Sequence, residues 1–229
     1  MTAFPPLSGT IAERIDRIRH ALPDSVRLIA VTKQVSVEAM REAYAAGVRD
    51  FAENRVQEAE AKQAKLSDLT DVTWHLIGHL QSNKAQKALD LFQWIHSIDD
   101  LKLAQRLNRL AAQQAQKPQS LLQVKLLPDP AKYGWSAADL LRDLSALNQC
   151  ENLRIQGLMT ILPYGLTAED AKAAFEKTAT LANTIRQQSL PYLQMQELSM
   201  GMSNDYALAV PAGATMIRLG RILFGDRPQ

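Results

Sequence analysis

Eight short apolar runs recur along the chain, with stretches of helical period between them, and this alternation restricts the fold more than any other feature. The runs are Leu28 to Lys33, Asp50 to Asn54, Trp74 to Gly78, Trp94 to Asp99, Leu121 to Leu126, Ile155 to Ile161, Glu197 to Gly201 and Met216 to Gly220. Helical segments are expected over Val37 to Ala46, Val56 to Leu66, Asn83 to Leu91, Leu101 to Gln116, Ala137 to Leu147 and Ala168 to Gln188. Repeated βα units of this kind predict an α/β chain closed into a (β/α)8 TIM barrel; an open doubly wound sheet is the alternative, and the even spacing argues against it. With 229 residues, 46% of them hydrophobic, one barrel domain over residues 1–229 uses the whole chain. An extra helix precedes the first strand, with Ile11, Ile15, Ile18 and Leu22 on one face, and should pack on the barrel or close its base. Ser36, Ser82, Ser136 and Thr167 stand where N-caps are expected, and Gly47 where a helix should end.

Composition removes several classes of function. There are 26 basic and 24 acidic residues, with no basic stretch interleaved with aromatics, so nucleic acid is a poor partner. Cys150 is the single cysteine, which precludes an internal disulfide or a thiolate cluster and fits a reducing, cytoplasmic setting. No stretch approaches the roughly 18 apolar residues of a membrane span, and no signal-length segment opens the chain. His75 and His79 are about 13 Å apart along a strand, too far to share one ion, so no metal site is expected. His75 should face the barrel interior as a hydrogen-bonded residue, His79 and Gln81 should lie near the mouth, and His20 and His96 show no partner in the sequence.

Chemistry in such a barrel belongs at the C-terminal ends of the strands. Lys33 closes the first run there; an amine held among Leu28, Ala30 and Val31 would be partly desolvated and able to attack a carbonyl, although a solvated lysine at a strand end fits the pattern too. After the last two strands, Ser203 is placed as the N-cap of a helix running toward Val210, and Gly220 and Gly225 with Arg221 offer backbone and charge to a phosphate, or else perform ordinary turn chemistry. Arg218 shares a face with Gly220, and inside a barrel it needs an acceptor: an unprotonated ring nitrogen, or a carboxylate such as Glu197 or Asp99.

These residues resemble the YggS/PROSC-like family of pyridoxal 5′-phosphate (PLP) binding proteins. The likeness rests on AVTK at Ala30 to Lys33, FAENRVQE at Phe51 to Glu58, WHLIGHLQSNK at Trp74 to Lys84, IHSID at Ile95 to Asp99, GLMTI at Gly157 to Ile161, LSMGMSND at Leu198 to Asp205 and IRLGRILFG at Ile217 to Gly225. It implies a barrel like the N-terminal domain of alanine racemase, of fold type III among PLP proteins, with PLP as a covalent aldimine (Schiff base) on Lys33. It further implies that Asn54 lies beside that linkage and the ring hydroxyl, that Ser203, Gly220 and Arg221 hold the phosphate, that Arg218 faces the pyridine nitrogen, and that Ser199 and Met159 line the pocket. Lys125, Asp129 and Arg221 depart from residues common in the family, the last putting a hydroxyl contact to phosphate in doubt.

The implied role is PLP (vitamin B6) and amino-acid homeostasis by a protein that holds its cofactor without robust catalysis. A PLP-dependent racemase or lyase is the alternative, and a cofactor-free Schiff-base aldolase on a phosphorylated sugar a third reading. Racemisation needs a base on each face of the substrate carbon, and no tyrosine can be placed opposite Lys33 in a sequence that stops at Gln229. An arginine cannot hand a proton to the ring nitrogen, which weakens the ring as an electron sink. PLP-dependent apo-enzymes or regulatory proteins are the further partners, and the chain is expected to act as a monomer.

Overall fold

A computed structural model of the protein describes residues 8–129 and 132–225. Eight parallel strands close in sequence order: β1 (Arg27–Val31), β2 (Asp50–Glu53), β3 (Thr73–Leu76), β4 (Trp94–Ile98), β5 (Gln119–Val124), β6 (Arg154–Thr160), β7 (Leu193–Met202) and β8 (Met216–Leu219). The closing pair is β1 with β8, in register at Ile29 with Arg218 and Ala30 with Leu219, and this excludes the open sheet. Around the barrel lie α1 (Ile11–Ala21), α2 (Val37–Ala45), α3 (Val56–Lys65), α4 (Ala85–Leu91), α5 (Leu101–Ala111), α6 (Ala137–Leu147), α7 (Ala168–Arg186), α8 (Tyr206–Ala209) and α9 (Arg221–Phe224).

Two cores follow from strand alternation. Ile29, Val31, Ala52, Ile77, Trp94, Leu121, Met159 and Met216 pack inside the barrel, while residues of opposite parity meet the helices in the larger outer layer. Helix boundaries have local causes. Ser36, Ser136 and Thr167 cap α2, α6 and α7 by accepting the N–H of Ala39, Asp139 and Asp170. Gly47 at φ 89° ends α2 in a Schellman motif, donating to Tyr44 O while Val48 N donates to Ala43 O.

Several expectations are corrected. Ser82 caps nothing: it begins a 3-10 turn, Ser82–Lys84, and α4 starts behind that turn at Ala85. The helix expected over Leu101 to Gln116 stops at Ala111, where its buried row Leu103, Ala104, Leu107 and Ala111 runs out and only glutamine-rich chain follows. β7 begins at Leu193 rather than Glu197, because Leu193 and Met195 are buried in the outer layer between exposed Gln194 and Gln196.

The first helix does not close the barrel base. It lies in the outer layer against α2 and α9, with Ile15 and Ile18 buried; Arg19 reaches Ala46 O and Gly47 O at 2.8 Å each, and Arg14 reaches Leu223 O at 3.2 Å. Those carbonyls sit at the ends of α2 and α9, where helix dipoles favour a cation. Thr10 and Glu13 set the start of α1 as a capping box.

Candidate functional site

Seven positions expected to carry chemistry lie on four consecutive strands, in the spatial order β7, β8, β1, β2, and at or beyond their C-terminal ends. Ser199 belongs to β7 and Ser203 follows it; Arg218 belongs to β8, with Gly220 and Arg221 after it; Lys33 follows β1 and Asn54 follows β2. Val31 pairs with Ala52, so the same register carried forward two residues sets Lys33 beside Asn54. Alternation puts Lys33 on the face of Ile29 and Val31, the barrel interior.

The turn that presents Lys33 is built from behind. Thr32 N donates to Ala52 O at 2.9 Å, and its hydroxyl donates outward to Glu53 Oε1 at 2.6 Å. Gln34 then enters the left-handed region at φ 59°, an unusual conformation for a residue with a Cβ, with its N–H held by Glu58 Oε1 at 2.6 Å. Lys62 from α3 joins these groups, donating to Thr32 O, Glu53 Oε1 and Glu58 Oε1 at 2.6, 2.8 and 2.7 Å. Burial raises the Glu53 carboxyl above its ordinary range, with Lys62 pulling against it, while hydrogen bonds from Lys62 and Gln34 outweigh burial and lower Glu58.

On the other side of Lys33, Asn54 Oδ1 is a buried acceptor without a hydrogen-bond partner among the described residues. An oxygen in that state suits a ligand that brings a donor. Gly78 lies against the same residue so closely that a Cβ there would sit 2.2 Å from Asn54 O, so β3 ends where only glycine fits.

The loops after β7 and β8 meet through Ser203, whose Oγ accepts the Ile222 N–H at 3.4 Å. Ser203 is not the cap of the following helix. Asp205 Oδ1 turns back to accept Met202 N–H at 2.6 Å, the chain folds over residues 202–205, and α8 begins only at Tyr206 with Asp205 in the cap position. Gly201 allows this fold at φ 94°, where a Cβ would collide with Tyr206 and Ala209. Across the gap, α9 starts at Arg221 after Gly220, and among the described residues no acceptor meets the N–H of either. The Arg221 side chain is exposed.

Arg218 is 2% exposed, and neither carboxylate considered for it is its partner. Its Nη1 donates to Ser199 Oγ at 2.7 Å and its Nη2 to Thr160 O at 2.8 Å. Glu197 accepts from the Thr215 hydroxyl instead, and Asp99 pairs with His79 at 2.6 Å. Burial lowers the guanidinium pKa to about 10, with Asp205 opposing, so the group stays charged at neutral pH. Ser199 and Met159 are wholly buried; Ser199 stands behind Arg218, with Met159 in register beside it.

Two histidines have partners that the sequence did not reveal. His96 Nε2 lies 2.9 Å from His75 Nδ1, and His96 Nδ1 lies 2.8 Å from Ser199 Oγ, a residue 103 positions away that no local pattern could supply. His20 contacts Asp16 one turn earlier in α1. His75 faces the interior, as expected, and its Nε2 meets Asp50 Oδ1 at 2.9 Å. At the mouth, His79 stacks on Tyr133 with ring centroids 3.7 Å apart, and with Gln81 it borders a cleft of about 360 Å³ next to Asn54, Arg55 and Lys84. Lys125 donates to Lys132 O at 3.2 Å and Asp129 pairs with Lys132 at 3.3 Å, so two of the three family departures lie in the loop after β5.

Comparison with known proteins gives consistent matches. The family model described as alanine racemase, N-terminal domain, matches residues 8–228. A pyridoxal phosphate homeostasis protein from Synechocystis sp. is 53% identical over 206 residues, covering 90% of this chain and 94% of that protein. The protein of the same name from Pseudomonas aeruginosa is 41% identical, covering 96% of each. Among solved structures, PipY of Synechococcus elongatus with PLP bound superposes at a TM-score of 0.90 with 55% identity, over 94% of this chain and all (100%) of that one. Alanine racemase of Clostridium difficile, 16% identical, matches at a TM-score of 0.73 over 96% of this chain and 57% of its own, a likeness of fold alone.

Proposed function

The chain belongs to the pyridoxal phosphate homeostasis protein family, and from that premise we propose that it binds PLP at the C-terminal mouth of its barrel and holds it for vitamin B6 and amino-acid balance rather than for turnover of a substrate. When bound, PLP supplies an electrophilic aldehyde and an electron-withdrawing ring.

The assignment of residues follows the geometry of the mouth. Lys33 presents its amine from the interior face of β1, on a turn braced by Lys62, Glu53 and Glu58. Asn54 Oδ1, which meets no donor among the described residues, accepts from the ring hydroxyl. Ser203 with the N–H groups of Gly220 and Arg221 binds the phosphate, and the Arg221 side chain adds charge from the surface. Arg218 turns its remaining N–H donors to the ring nitrogen, while Ser199 and Met159 close the pocket beneath it.

Arg218 carries the distinction between holding and catalysis. It is buried and hydrogen-bonded to a hydroxyl and a carbonyl, and among the described residues no carboxylate is hydrogen-bonded to it. A group that only donates leaves the ring nitrogen unprotonated, and an unprotonated ring withdraws electrons from a reacting centre less strongly. No helix among the described residues is long and apolar enough to cross a membrane. A monomer working in the cytoplasm, handing PLP to apo-enzymes or signalling to regulatory proteins, fits this reading.

Near-visible absorption of wild type and Lys33→Ala, each incubated with PLP and desalted, tests it. Wild type should keep a near-visible band and the variant should lose it, even if some PLP remains through the phosphate contacts. Retention of the same band in Lys33→Ala removes Lys33 from its role. Rapid conversion of an amino acid by purified protein at low concentration favours a racemase or lyase instead.

A further inference from the structure

A continuous line of polar side chains crosses the barrel interior from Asp50, half-buried at the start of β2, to the buried Arg218. Its contacts are Asp50 Oδ1 to His75 Nε2 at 2.9 Å, His75 Nδ1 to His96 Nε2 at 2.9 Å, His96 Nδ1 to Ser199 Oγ at 2.8 Å and Ser199 Oγ to Arg218 Nη1 at 2.7 Å. His75, His96 and Ser199 are each 0% exposed. Apolar walls surround the line, among them Trp94 stacked on His75, and Leu121, Met159 and Met216.

The two ends dictate the direction of every hydrogen bond between them. A guanidinium can only donate and a carboxylate can only accept. Arg218 therefore donates to Ser199, which leaves the hydroxyl proton for His96 Nδ1. His96 must then carry its proton on Nε2 and donate to His75 Nδ1, and His75 in turn carries its proton on Nε2 and donates to Asp50. One assignment satisfies all members, and both imidazoles are neutral in it. A line with ends of opposite and permanent character is poor at relaying protons, because reversing it would leave Arg218 facing a second donor. It is well suited to holding a group still, since each bond polarises the next.

We propose that Asp50, His75 and His96 are positioning residues for the cofactor site: they commit the Ser199 hydroxyl to accepting from Arg218, and so keep the guanidinium in one pose with its remaining donors toward the ring nitrogen. This rests on the PLP reading. The seat selects a ligand that offers an unprotonated aromatic nitrogen, and residues on the far side of the barrel decide how firmly that donor is set.

The test has one arm without cofactor and one with it. Nitrogen NMR of 15N-histidine-labelled, cofactor-free protein at neutral pH should show His75 and His96 neutral, each with its proton on Nε2. In PLP-loaded protein, His75→Phe should shift the near-visible band and weaken PLP retention about tenfold, as expected when a charge-assisted donor loses its fixed geometry. Leu121→Val, a change in the same interior away from the line, should leave the band in place and reports on packing alone; circular dichroism confirms that both variants fold. If His75→Phe does not fold, His75→Gln provides the same spectral comparison. An Nδ1-protonated or charged imidazole overturns the inference, as does a band that His75 variants leave unmoved. Absence of the band in wild type overturns the PLP reading itself.

Discussion

Lys62 Nζ lies 2.8 Å from Glu53 Oε1 and 2.6 Å from the carbonyl oxygen of Thr32, so a buried cation is bonded to the backbone one residue before Lys33. Glu53 is 0% exposed and its second oxygen, Oε2, has no hydrogen-bond partner among the described residues. Removing the cation should therefore cost far more than a surface ion pair would. Lys62→Met is expected to lose about 3–5 kcal/mol in urea unfolding, the usual penalty for stranding one partner of a buried pair. Glu53→Leu combined with Lys62→Met should recover part of that loss, since the fully buried carboxylate is then gone, while Glu58 is partly exposed and keeps the Gln34 N–H.

Gly157 approaches the neighbouring strand so closely that a Cβ would stand 1.7 Å from Glu197 O, at a point where the register between β6 and β7 shifts. A glycine inside a strand often marks such a contact. Gly157→Ala should force β6 and β7 apart and cost at least about 2 kcal/mol, measurable as a lower melting temperature. A melting point equal to wild type would mean that the two backbones separate freely.

Most of the barrel could be read from the sequence because parallel strands are buried on both faces and so stand out as apolar runs. Their far ends could not be read as well. Lys33, Asn54, Gly78 and Asp99 were expected to end strands, but the ladders stop at Val31, Glu53, Leu76 and Ile98, since a chain must leave the sheet to present polar groups at the mouth. Local chemistry announced three caps, at Ser36, Ser136 and Thr167, and misled at Ser82 and Ser203, where a 3-10 turn and the Asp205 side chain took over the helix start. His75, Ser199 and Arg218 could each be assigned to the interior or the pocket, but the His96 link that joins them left no trace in the sequence. The members of the line lie on β2, β3, β4, β7 and β8, and only barrel closure brings them together.

Ser203 ties the loop after β7 to the start of α9 by a long bond to Ile222 N–H. With the proposed phosphate contacts, Ser203→Ala should loosen PLP about tenfold while leaving the unfolding free energy of the cofactor-free protein within roughly half a kcal/mol of wild type. Equilibrium dialysis against PLP measures the first quantity and thermal unfolding the second. Unchanged affinity would take Ser203 out of the phosphate site.

The interior histidines should make stability fall with pH below neutrality. Burial lowers both their pKa values, His96 further than His75, because His75 has Asp50 to favour its charged form while His96 faces His75 and Arg218. In the unfolded chain both titrate near about 6.5. Above that pH neither state is protonated and the full stability is present. As pH drops through about 6.5 the unfolded chain takes up protons that the folded barrel refuses, so stability declines until the depressed folded values are reached, at up to about 1.4 kcal/mol per pH unit for each proton. Glu53, Asp99 and Asp205 act in the opposite sense, since burial raises each of them and the folded state gains protons first on acidification. Urea unfolding of wild type and of His75→Gln with His96→Gln across pH 5 to 8 separates the two contributions. The double variant should be less stable at neutral pH yet lose less on going to pH 5, and parallel pH profiles would show that these imidazoles accept protons in the folded barrel as readily as in the unfolded chain.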